Sequence, residues 1–359
     1  MKLVIVFGTR PEFIKFSPLI KEGAKKRLNF LLVHTGQHYS PKLDEIFFKE
    51  LCLPRPQYNL DVGSGTDAFQ TAQILLKIEK IFLAEQPDLV LVYGDTNSTL
   101  ASALAASKLH LPVAHLEAGL RSFDREMPEE INRVLVDHLA DYLFVPTVEA
   151  KKNLLNEGIN KKKIFVSGNL IVDVLYQNLK TLDQKSKILT QLNLKRKKYF
   201  LVTAHRQENV DHPEKLASIL KALLALNKKY NLPIIYPLHP RTRKRIKEFG
   251  LIIPRQLRIL EPLGYFDFLN LEKNALLILT DSGGIQEESC VLKVPCVTLR
   301  ENTERPETLK IKSNVLVGVS PKRILNGVSF MLQRKRNWPN PFGDGRSAQT
   351  ILNIIEDLI

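Results

Sequence analysis

The feature that most constrains the fold is the alternation of short apolar runs with longer amphipathic segments. Most of the runs, rich in Val, Ile, Leu and Phe, are separated by stretches of helical periodicity such as 66–86 and 213–230. Parallel strands need crossover connections, and helices in those crossovers cover the faces of the sheet. The pattern therefore predicts an α/β protein with parallel sheets. The twelve predicted strands lie within 2–8, 30–36, 88–95, 113–119, 142–147, 164–169, 199–206, 233–239, 257–262, 275–284, 296–300 and 314–319.

Twelve strands are too many for one compact doubly wound sheet. The polar segment 179–198 falls between the sixth and seventh strands, and 359 residues with 44% hydrophobic content can form two full cores. We predict two Rossmann-like domains of about six strands each, covering 1–170 and 171–344, with a C-terminal helix at about 345–359.

Cysteine usage and hydropathy narrow the class of protein. Cys52, Cys290 and Cys296 form no C-x-x-C pair and no Cys/His cluster, which argues against a zinc site and a disulfide framework. The apolar run at the N-terminus is too short for a signal peptide, and no run reaches the roughly 18 apolar residues of a membrane helix. We expect a cytoplasmic protein without membrane insertion.

The formal net charge of +14 raises nucleic acid as a partner. However, the basic clusters at 21–27, 160–163, 195–198 and 241–247 are separated along the chain and contain no interleaved aromatic residues. Solvated helix faces or loops are the favoured interpretation, so we predict no nucleic-acid partner. A preference for a membrane surface or for an anionic substrate stays open.

Unusual polar clusters follow several of the predicted strands. In parallel α/β sheets, ligands bind beyond the carboxyl ends of the strands, where the chain turns into the next helix. If both domains present that edge to a shared cleft, the clusters converge on one site; if not, they are ordinary loop residues and helix caps. The clusters lie at 8–15, 94–96, 117–121, 203–208 and 281–288.

The turn Ser282-Gly283-Gly284 is the clearest candidate for binding an anion. It separates an apolar run from a helix-compatible segment; glycines permit positive φ and close approach of a ligand, and N–H groups at a helix start favour a phosphate. Neither a Walker lysine nor G-x-G-x-x-G is present.

A second anion site is predicted near the N-terminus. Thr9, Pro11 and Glu12 are typical of a capped helix start, but capping does not require a cation such as Arg10 at that end of a helix. A bound anion would offset the unfavourable dipole, so we assign Arg10 to anion binding. Lys15 is either a ligand contact or a surface lysine.

Three carboxylates, Asp95, Glu117 and Glu129, end or follow strands among small residues, close in sequence to Arg121 and Arg133. They are candidates for general acid and base groups. The structural alternatives are an N-cap for Asp95 and a salt bridge in the first helical turn for Glu129. His205 closes the first strand of the second half, where an imidazole can contact phosphate, move a proton or be merely structural.

Taken together, these motifs resemble the non-hydrolysing UDP-N-acetylglucosamine 2-epimerases, with an archaeal-type pattern. The likeness covers nearly the whole chain in order. Its motifs are GTRPEFIK (8–15), YGDTNSTLA (93–101), HLEAGLRSFDREMPEEINR (115–133), TAHRQEN (203–209), LTDSGGIQEE (279–288), RENTERPET (300–308) and NPFGDG (340–345).

The resemblance implies a GT-B-type fold with an active-site cleft between two Rossmann-like domains, a C-terminal helix that crosses back onto the first domain, and a homodimer. It implies that Ser282, Gly283 and Gly284 bind the diphosphate of UDP and that Glu288 holds the ribose hydroxyls. It further implies that Arg10 and His205 contact the phosphates. The residues that it places near the sugar are Lys15, Asp95, Glu117, Glu129 and Arg133. Arg305 lies in a motif that matches the family.

The activity implied by the resemblance is reversible inversion at carbon 2 of UDP-N-acetylglucosamine, giving UDP-N-acetylmannosamine for surface glycan synthesis. It proceeds by elimination and re-addition of UDP through a 2-acetamidoglucal, without a cofactor or metal. The stretch LHPRTRKR (238–245) departs from bacterial members, which leaves open a second regulatory UDP-sugar and an acidic di-N-acetylated substrate. Further alternatives are a GT-B glycosyltransferase and a non-enzymatic polyanion-binding protein.

Overall fold

The structure is a computed structural model that describes residues 1–37 and 48–358. The described chain divides into two compact units, one formed by Met1–Gln177 with Phe342–Ile359 and the other by Asn178–Pro341. None of the helices in the described ranges is both long enough and apolar enough to cross a membrane. His38, to which we assign no role, lies outside the described residues.

The first unit contains a parallel sheet of seven strands in the order β3-β2-β1-β4-β5-β6-β7. The strands are β1 (Lys2–Phe7), β2 (Asn29–His34), β3 (Tyr58–Asn59), β4 (Leu89–Tyr93), β5 (Val113–Leu116), β6 (Tyr142–Val145) and β7 (Ile164–Val166). The helices are α1 (Arg10–Lys25), α2 (Asp67–Glu85), α3 (Asn97–Lys108), α4 (Pro128–Leu139), α5 (Val148–Asn156) and α6 (Leu170–Leu179).

The second unit repeats this plan with a parallel sheet of six strands in the order β10-β9-β8-β11-β12-β13. The strands are β8 (Phe200–Thr203), β9 (Ile234–Pro237), β10 (Leu257–Leu260), β11 (Leu277–Thr280), β12 (Cys296–Thr298) and β13 (Asn314–Leu316). The helices are α7 (Leu182–Lys185), α8 (Ile188–Gln191), α9 (Gln207–Val210), α10 (Pro213–Tyr230), α11 (Pro240–Glu248), α12 (Tyr265–Asn274), α13 (Gly283–Val291), α14 (Pro306–Lys310) and α15 (Pro321–Leu332).

All twelve predicted strands are present in the described residues, and the predicted fold of two doubly wound parallel sheets is confirmed. The prediction missed β3, a two-residue edge strand that pairs with the end of β2. Two residues are too few to show any periodicity, and Pro56 just before them reads as a loop.

Central strands are buried on both faces, which explains their continuous apolar sequence. In β8 and β11, Leu201 pairs with Ile278 and both are fully buried between helix layers. The polar segment 179–198 also contributes to a core, because it folds into α7 and α8 and buries Leu182 and Ile188.

The chain ends in α16 (Ser347–Leu358), which belongs to the first unit and packs on α1. Its apolar face buries Ile351, Leu352 and Ile355. Its first turn is held by Asp173 of α6, whose carboxylate accepts hydrogen bonds from the Ser347 amide at 3.2 Å and the Ala348 amide at 2.9 Å. Burial raises the pKa of Asp173, although these amides favour its charged form. A side chain distant in sequence therefore caps the last helix.

We predict that Asp173→Ala loosens this helix, because two buried amides lose their acceptor. The expected loss is about 1–3 kcal/mol in the free energy that opens the helix. Hydrogen exchange at Ser347 and Ala348 measures it, with the exposed Asp357 on the same helix, as Asp357→Ala, for a control. Equal protection in parent and Asp173→Ala would show that the cap contributes nothing.

Candidate active site

Each unit has a point where its strand order reverses. In the first sheet β1 lies between β2 and β4, and in the second β8 lies between β9 and β11. Loops leaving such a pair of strands diverge to opposite faces and open a crevice at the carboxyl end of the sheet. Most of the predicted site residues follow these strands or their neighbours, so each unit is described in turn.

The loop after β1 is fixed by Glu12. Its buried carboxylate accepts hydrogen bonds from the Gly8 amide at 2.7 Å and the Thr9 amide at 2.8 Å, which confirms the predicted capping box. Its other oxygen accepts from the Thr96 hydroxyl at 2.7 Å, which ties this loop to the start of α3. Burial raises the pKa of Glu12 despite these donors. Arg10 is thereby held at the first position of α1, half-buried.

Gly8 allows the two loops to meet. A Cβ at this position would lie 1.9 Å from the Ser98 Oγ, so no other residue fits.

Lys15 and Glu117 form an ion pair in the first unit, and both side chains are almost fully buried. The Tyr93 hydroxyl donates to the same Glu117 oxygen at 2.8 Å and lies 3.3 Å from the Asn169 Oδ1. Glu117 has φ of 68°, a left-handed conformation unusual for a residue with a side chain. Such strain persists only where surrounding contacts compensate for it, and it is common at functional sites.

Asp95 and Arg133 form a second ion pair, and Arg133 also binds the buried Glu130 at 2.5 Å. The N-cap of α3 is Thr96, whose hydroxyl accepts from the Thr99 amide at 3.2 Å, so Asp95 is not the cap. About a quarter of the Asp95 side chain is exposed, which leaves it accessible to a ligand. Glu129 occupies the first turn of α4 beside Glu130 and is half-buried.

A buried cluster supports the loop that carries Glu117. His115 Nδ1 lies 2.7 Å from Asp137, and its Nε2 lies 2.8 Å from the Gly94 carbonyl. Arg121, which the sequence placed near the site, binds Asp137 at 2.7 Å and Glu157 at 2.6 Å. Burial opposes the charge of Asp137, but His115 and Arg121 hold its pKa below the ordinary value. Arg121 is therefore a structural residue.

In the second unit, the fully buried Asp281 organises the loop after β8. It accepts hydrogen bonds from the backbone amides of His205 and Arg206, both at 3.0 Å, and from the Asn209 amide group at 3.1 Å. The His205 ring lies near Asp281 and 5.4 Å from the His239 ring, with more than a third of the side chain exposed. His205 is therefore fixed through its backbone, while its ring can reach a ligand.

The predicted Ser282-Gly283-Gly284 turn differs from the expectation in one respect. Neither glycine has a positive φ, because α13 begins at Gly283 and both residues are helical. A Cβ at Gly283 would lie 3.5 Å from the Arg305 guanidinium, and one at Gly284 would meet nothing closer than the Ser282 Oγ at 4.0 Å. The glycines thus leave the first turn of α13 open to close approach rather than enabling a left-handed turn.

Arg305 lies against this helix start from the loop before α14. Its Nε donates to the buried Glu287 carboxylate at 2.6 Å, which fixes the guanidinium beside Gly283. One position further along α13, Glu288 is half-buried. The second unit therefore combines the start of a helix, a guanidinium and a carboxylate, which suits a phosphorylated ligand with hydroxyl groups.

The structure thus pairs several of the predicted residues within each unit. The first unit pairs Lys15 with Glu117 and Asp95 with Arg133, and the second places Arg305 beside Gly283. Sequence reasoning missed four residues that contact these groups. Tyr93 ends β4 and Asn169 follows β7, so their positions at strand ends could have indicated them. Glu130 and Asn132 lie close to Glu129 on α4. Within the described ranges, no group of three or more His, Cys, Asp or Glu residues is placed to hold a metal ion.

Comparison with known proteins identifies the family. A sequence profile described as UDP-N-acetylglucosamine 2-epimerase matches residues 21–356. The UDP-N-acetylglucosamine 2-epimerase of Methanocaldococcus jannaschii is 54% identical over 361 residues, with 99% of each chain covered. A crystal structure of the M. jannaschii UDP-GlcNAc 2-epimerase in complex with UDP-GlcNAc and UDP gives a TM-score of 0.96 at 54% identity, covering 99% of this chain and 100% of that one.

A bacterial relative is less similar. The UDP-2,3-diacetamido-2,3-dideoxy-D-glucuronate 2-epimerase of Pseudomonas aeruginosa is 41% identical over 363 residues, with both chains fully covered. The archaeal-type character predicted from the motifs and the GT-B-type class of the fold are confirmed by these matches. The chain belongs to the UDP-N-acetylglucosamine 2-epimerase family.

Proposed function

We propose that this protein interconverts UDP-N-acetylglucosamine and UDP-N-acetylmannosamine. Two groups of residues near the strand reversals carry the proposal. In the first unit, acids are paired with cations. In the second unit, Arg305 lies beside the open start of a helix. The M. jannaschii relative, whose crystal structure contains UDP-GlcNAc and UDP, supports the choice of substrate.

The chemistry explains why both groups are needed. Carbon 2 of the sugar carries an unactivated hydrogen, so it cannot be inverted by direct deprotonation. Elimination of UDP from carbon 1 develops positive charge on the ring, acidifies the neighbouring C–H and yields a 2-acetamidoglucal. UDP then adds back while a proton arrives on the other face. The enzyme must stabilise a diphosphate leaving group and supply proton-handling groups, and this reaction needs no cofactor.

The second unit supplies the UDP contacts in this proposal. The Ser282-Gly283-Gly284 turn at the start of α13 binds the diphosphate, Arg305 lies beside it, and Glu288 accepts hydrogen bonds from the ribose hydroxyls. The exposed ring of His205 contacts a phosphate or moves a proton. Each well-placed donor to the leaving group is worth about 3 kcal/mol in the transition state.

The first unit supplies the groups that act on the sugar. Asp95, Glu117 and Glu129 are the candidate acids, and Arg10 contacts a phosphate. Lys15 and the Tyr93 hydroxyl contact the Glu117 carboxylate, and Arg133 pairs with Asp95. Inversion needs one of the candidate acids to accept the proton of carbon 2 on one face and a protonated group to deliver a proton on the other, and the two roles exchange in the reverse direction.

Two related activities are the alternatives. The P. aeruginosa relative is named for an acidic di-N-acetylated sugar and shares 41% identity, so a substrate of that class is the second candidate. The motifs GTRPE and NTERPE favour the plain N-acetylglucosamine substrate. A GT-B glycosyltransferase would need an acceptor for the sugar. A polyanion-binding protein would have no use for acidic side chains such as Asp95 and Glu117 at its binding site.

We also propose a homodimer, because the first unit exposes an apolar stripe. Phe69, Leu76 and Leu83 of α2 are each more than half exposed and recur every seven residues along one helix face. Ile131 and Leu135 of α4 are also exposed, and α3 packs between α2 and α4. Contiguous apolar surface of this kind is typical of an interface between subunits.

The activity prediction concerns UDP-N-acetylglucosamine supplied alone. We expect reversible formation of UDP-N-acetylmannosamine, observed by NMR or by chromatography of the nucleotide sugars. Turnover in D2O should place deuterium at carbon 2 of both sugars, because the abstracted proton exchanges during the lifetime of the glycal. Turnover only with an added acceptor would indicate a glycosyltransferase, and turnover of only the acidic di-N-acetylated sugar would indicate the second candidate.

The site prediction separates proton transfer from UDP binding. Asp95→Asn and Glu117→Gln keep the side-chain shape but lose the ionisable group, so we expect them to bind UDP and to lose at least about 100-fold in turnover. Glu288→Ala removes the ribose contacts, so we expect UDP binding to weaken by about 1–3 kcal/mol. Titration calorimetry and a direct epimerisation assay provide the two measurements.

The exposed Glu126, as Glu126→Gln, is the matched control for the two amide variants and should retain the parent rate. The residue assignments would be refuted if Asp95→Asn and Glu117→Gln had near-normal rates and folded Glu288→Ala bound UDP as well as the parent. Membership of the family would not be affected.

The assembly prediction uses Leu76→Glu combined with Leu83→Glu. Two charges on the apolar stripe should convert a dimer into a monomer, as measured by light scattering or sedimentation. Ile252→Glu is the control, because Ile252 of the second unit is 87% exposed without belonging to the stripe. A parent protein that is monomeric at micromolar concentration, or a double variant that stays dimeric, would contradict the proposal.

A further inference from the structure

Glu272 is a buried acid that the proposed chemistry does not use. It lies on α12, two residues before the end of that helix, and only 1% of its surface is exposed. Its Oε1 has no hydrogen-bond donor among the described residues. An unsatisfied buried carboxyl oxygen costs more in the charged form than in the neutral form, so these surroundings favour a protonated Glu272.

The group that faces Glu272 is Glu288, the residue proposed to hold the ribose. The helices α12 and α13 precede and follow β11, and both contribute to one apolar cluster through Leu271 and Ile285. Within this packing the two side-chain carboxyl groups are in hydrogen-bonding reach of each other. Two carboxylates in contact cannot both be ionised without strong repulsion, so a shared proton is the stable arrangement.

Two other titratable groups of the described residues lie near Glu272, Tyr199 and Cys296, and neither offers a counter-charge. Tyr199 donates its hydroxyl to the Leu271 carbonyl at 2.6 Å, and burial raises its pKa. Cys296 is fully buried, which raises the pKa of its thiol to about 12. Neither residue is cationic at neutral pH. Burial, followed by the charge of Glu288, raises the pKa of Glu272 well above its ordinary value.

We propose that Glu272 is a positioning residue for UDP binding: as a neutral acid it donates an O–H hydrogen bond to the Glu288 carboxylate and orients that carboxylate toward the ribose hydroxyls. The inference rests on the proposed role of Glu288. An O–H donor to a carboxylate forms a short, charge-assisted hydrogen bond. One Glu288 oxygen is then held from inside the protein, and its remaining lone pairs accept from the ligand.

The sign of the pH dependence follows from this arrangement. Below the raised pKa of Glu272 the acid is protonated and the pair is intact. Above it both carboxylates are charged, the hydrogen bond is lost and Glu288 is repelled from its position. UDP affinity should therefore fall as pH rises through that pKa. Glu272→Gln keeps an N–H donor that does not titrate. Because UDP itself also titrates, the UDP affinity of the parent is divided by that of the variant at each pH, which removes the contribution of the ligand.

Calorimetric titration with UDP and with 2′,3′-dideoxy-UDP tests the proposal. Glu272→Leu, which removes the donor, should weaken UDP binding about tenfold and leave the dideoxy ligand nearly unaffected, as expected for a hydrogen bond to a charged group. Glu272→Gln should restore parent-like binding of UDP at neutral pH and abolish the loss at higher pH. Equal weakening of both ligands in Glu272→Leu, or a Gln variant as weak as Leu, would overturn the proposal.

Infrared difference spectra of the ligand-free proteins provide a measurement that does not depend on UDP. Parent minus Glu272→Gln should show the carbonyl band of a protonated carboxylic acid at neutral pH, and Glu288→Ala should shift that band. Absence of the band overturns the proposed proton. The band could be present while Glu288→Ala binds UDP as well as the parent. That result would overturn the ribose assignment and the positioning role, and it would still establish the carboxyl pair.

Discussion

Parallel strand pairing is the constraint on which the rest of this structure depends. Two parallel strands cannot be joined by a tight turn, so each connection crosses the sheet and usually carries a helix. The helices bury the sheets on both faces and leave the strand ends as the places where polar side chains can meet a ligand. Because the strand order reverses at β1 and β4 and again at β8 and β11, each unit has one crevice at a defined position.

The side chains proposed to contact the ligand lie on loops that other buried side chains hold in place. Glu12 joins two loops of the first unit, because its carboxylate accepts hydrogen bonds from donors on both sides of the strand reversal. Asp281 does the same for the loop that carries His205. A satisfied buried carboxylate fixes several backbone amides at once, which a surface contact could not do. The reactive groups thereby sit on rigid supports although they belong to loops.

Carboxyl groups of identical chemistry are set to different tasks by their neighbours. Glu117 and Asp95, the acids proposed to handle protons, are paired with the cations Lys15 and Arg133. Glu272 lies in an apolar layer beside Glu288, and both burial and that neighbouring acid favour the neutral state that a donor requires. The distinction between a base and a hydrogen-bond donor depends on the immediate surroundings of each acid.

The sequence by itself determined the α/β class, all twelve long strands and the positions of the candidate acids, because apolar periodicity and polar residues at strand ends are local signals. Local patterns could not reveal that Thr96 caps α3 in place of Asp95, that Arg121 supports a buried cluster, or that the glycines of α13 are helical. The contacts of Tyr93 with Glu117 and of Glu272 with Glu288 join residues from different elements. Only tertiary packing decides which distant side chains share a low-dielectric environment, and that environment sets their charge and their role.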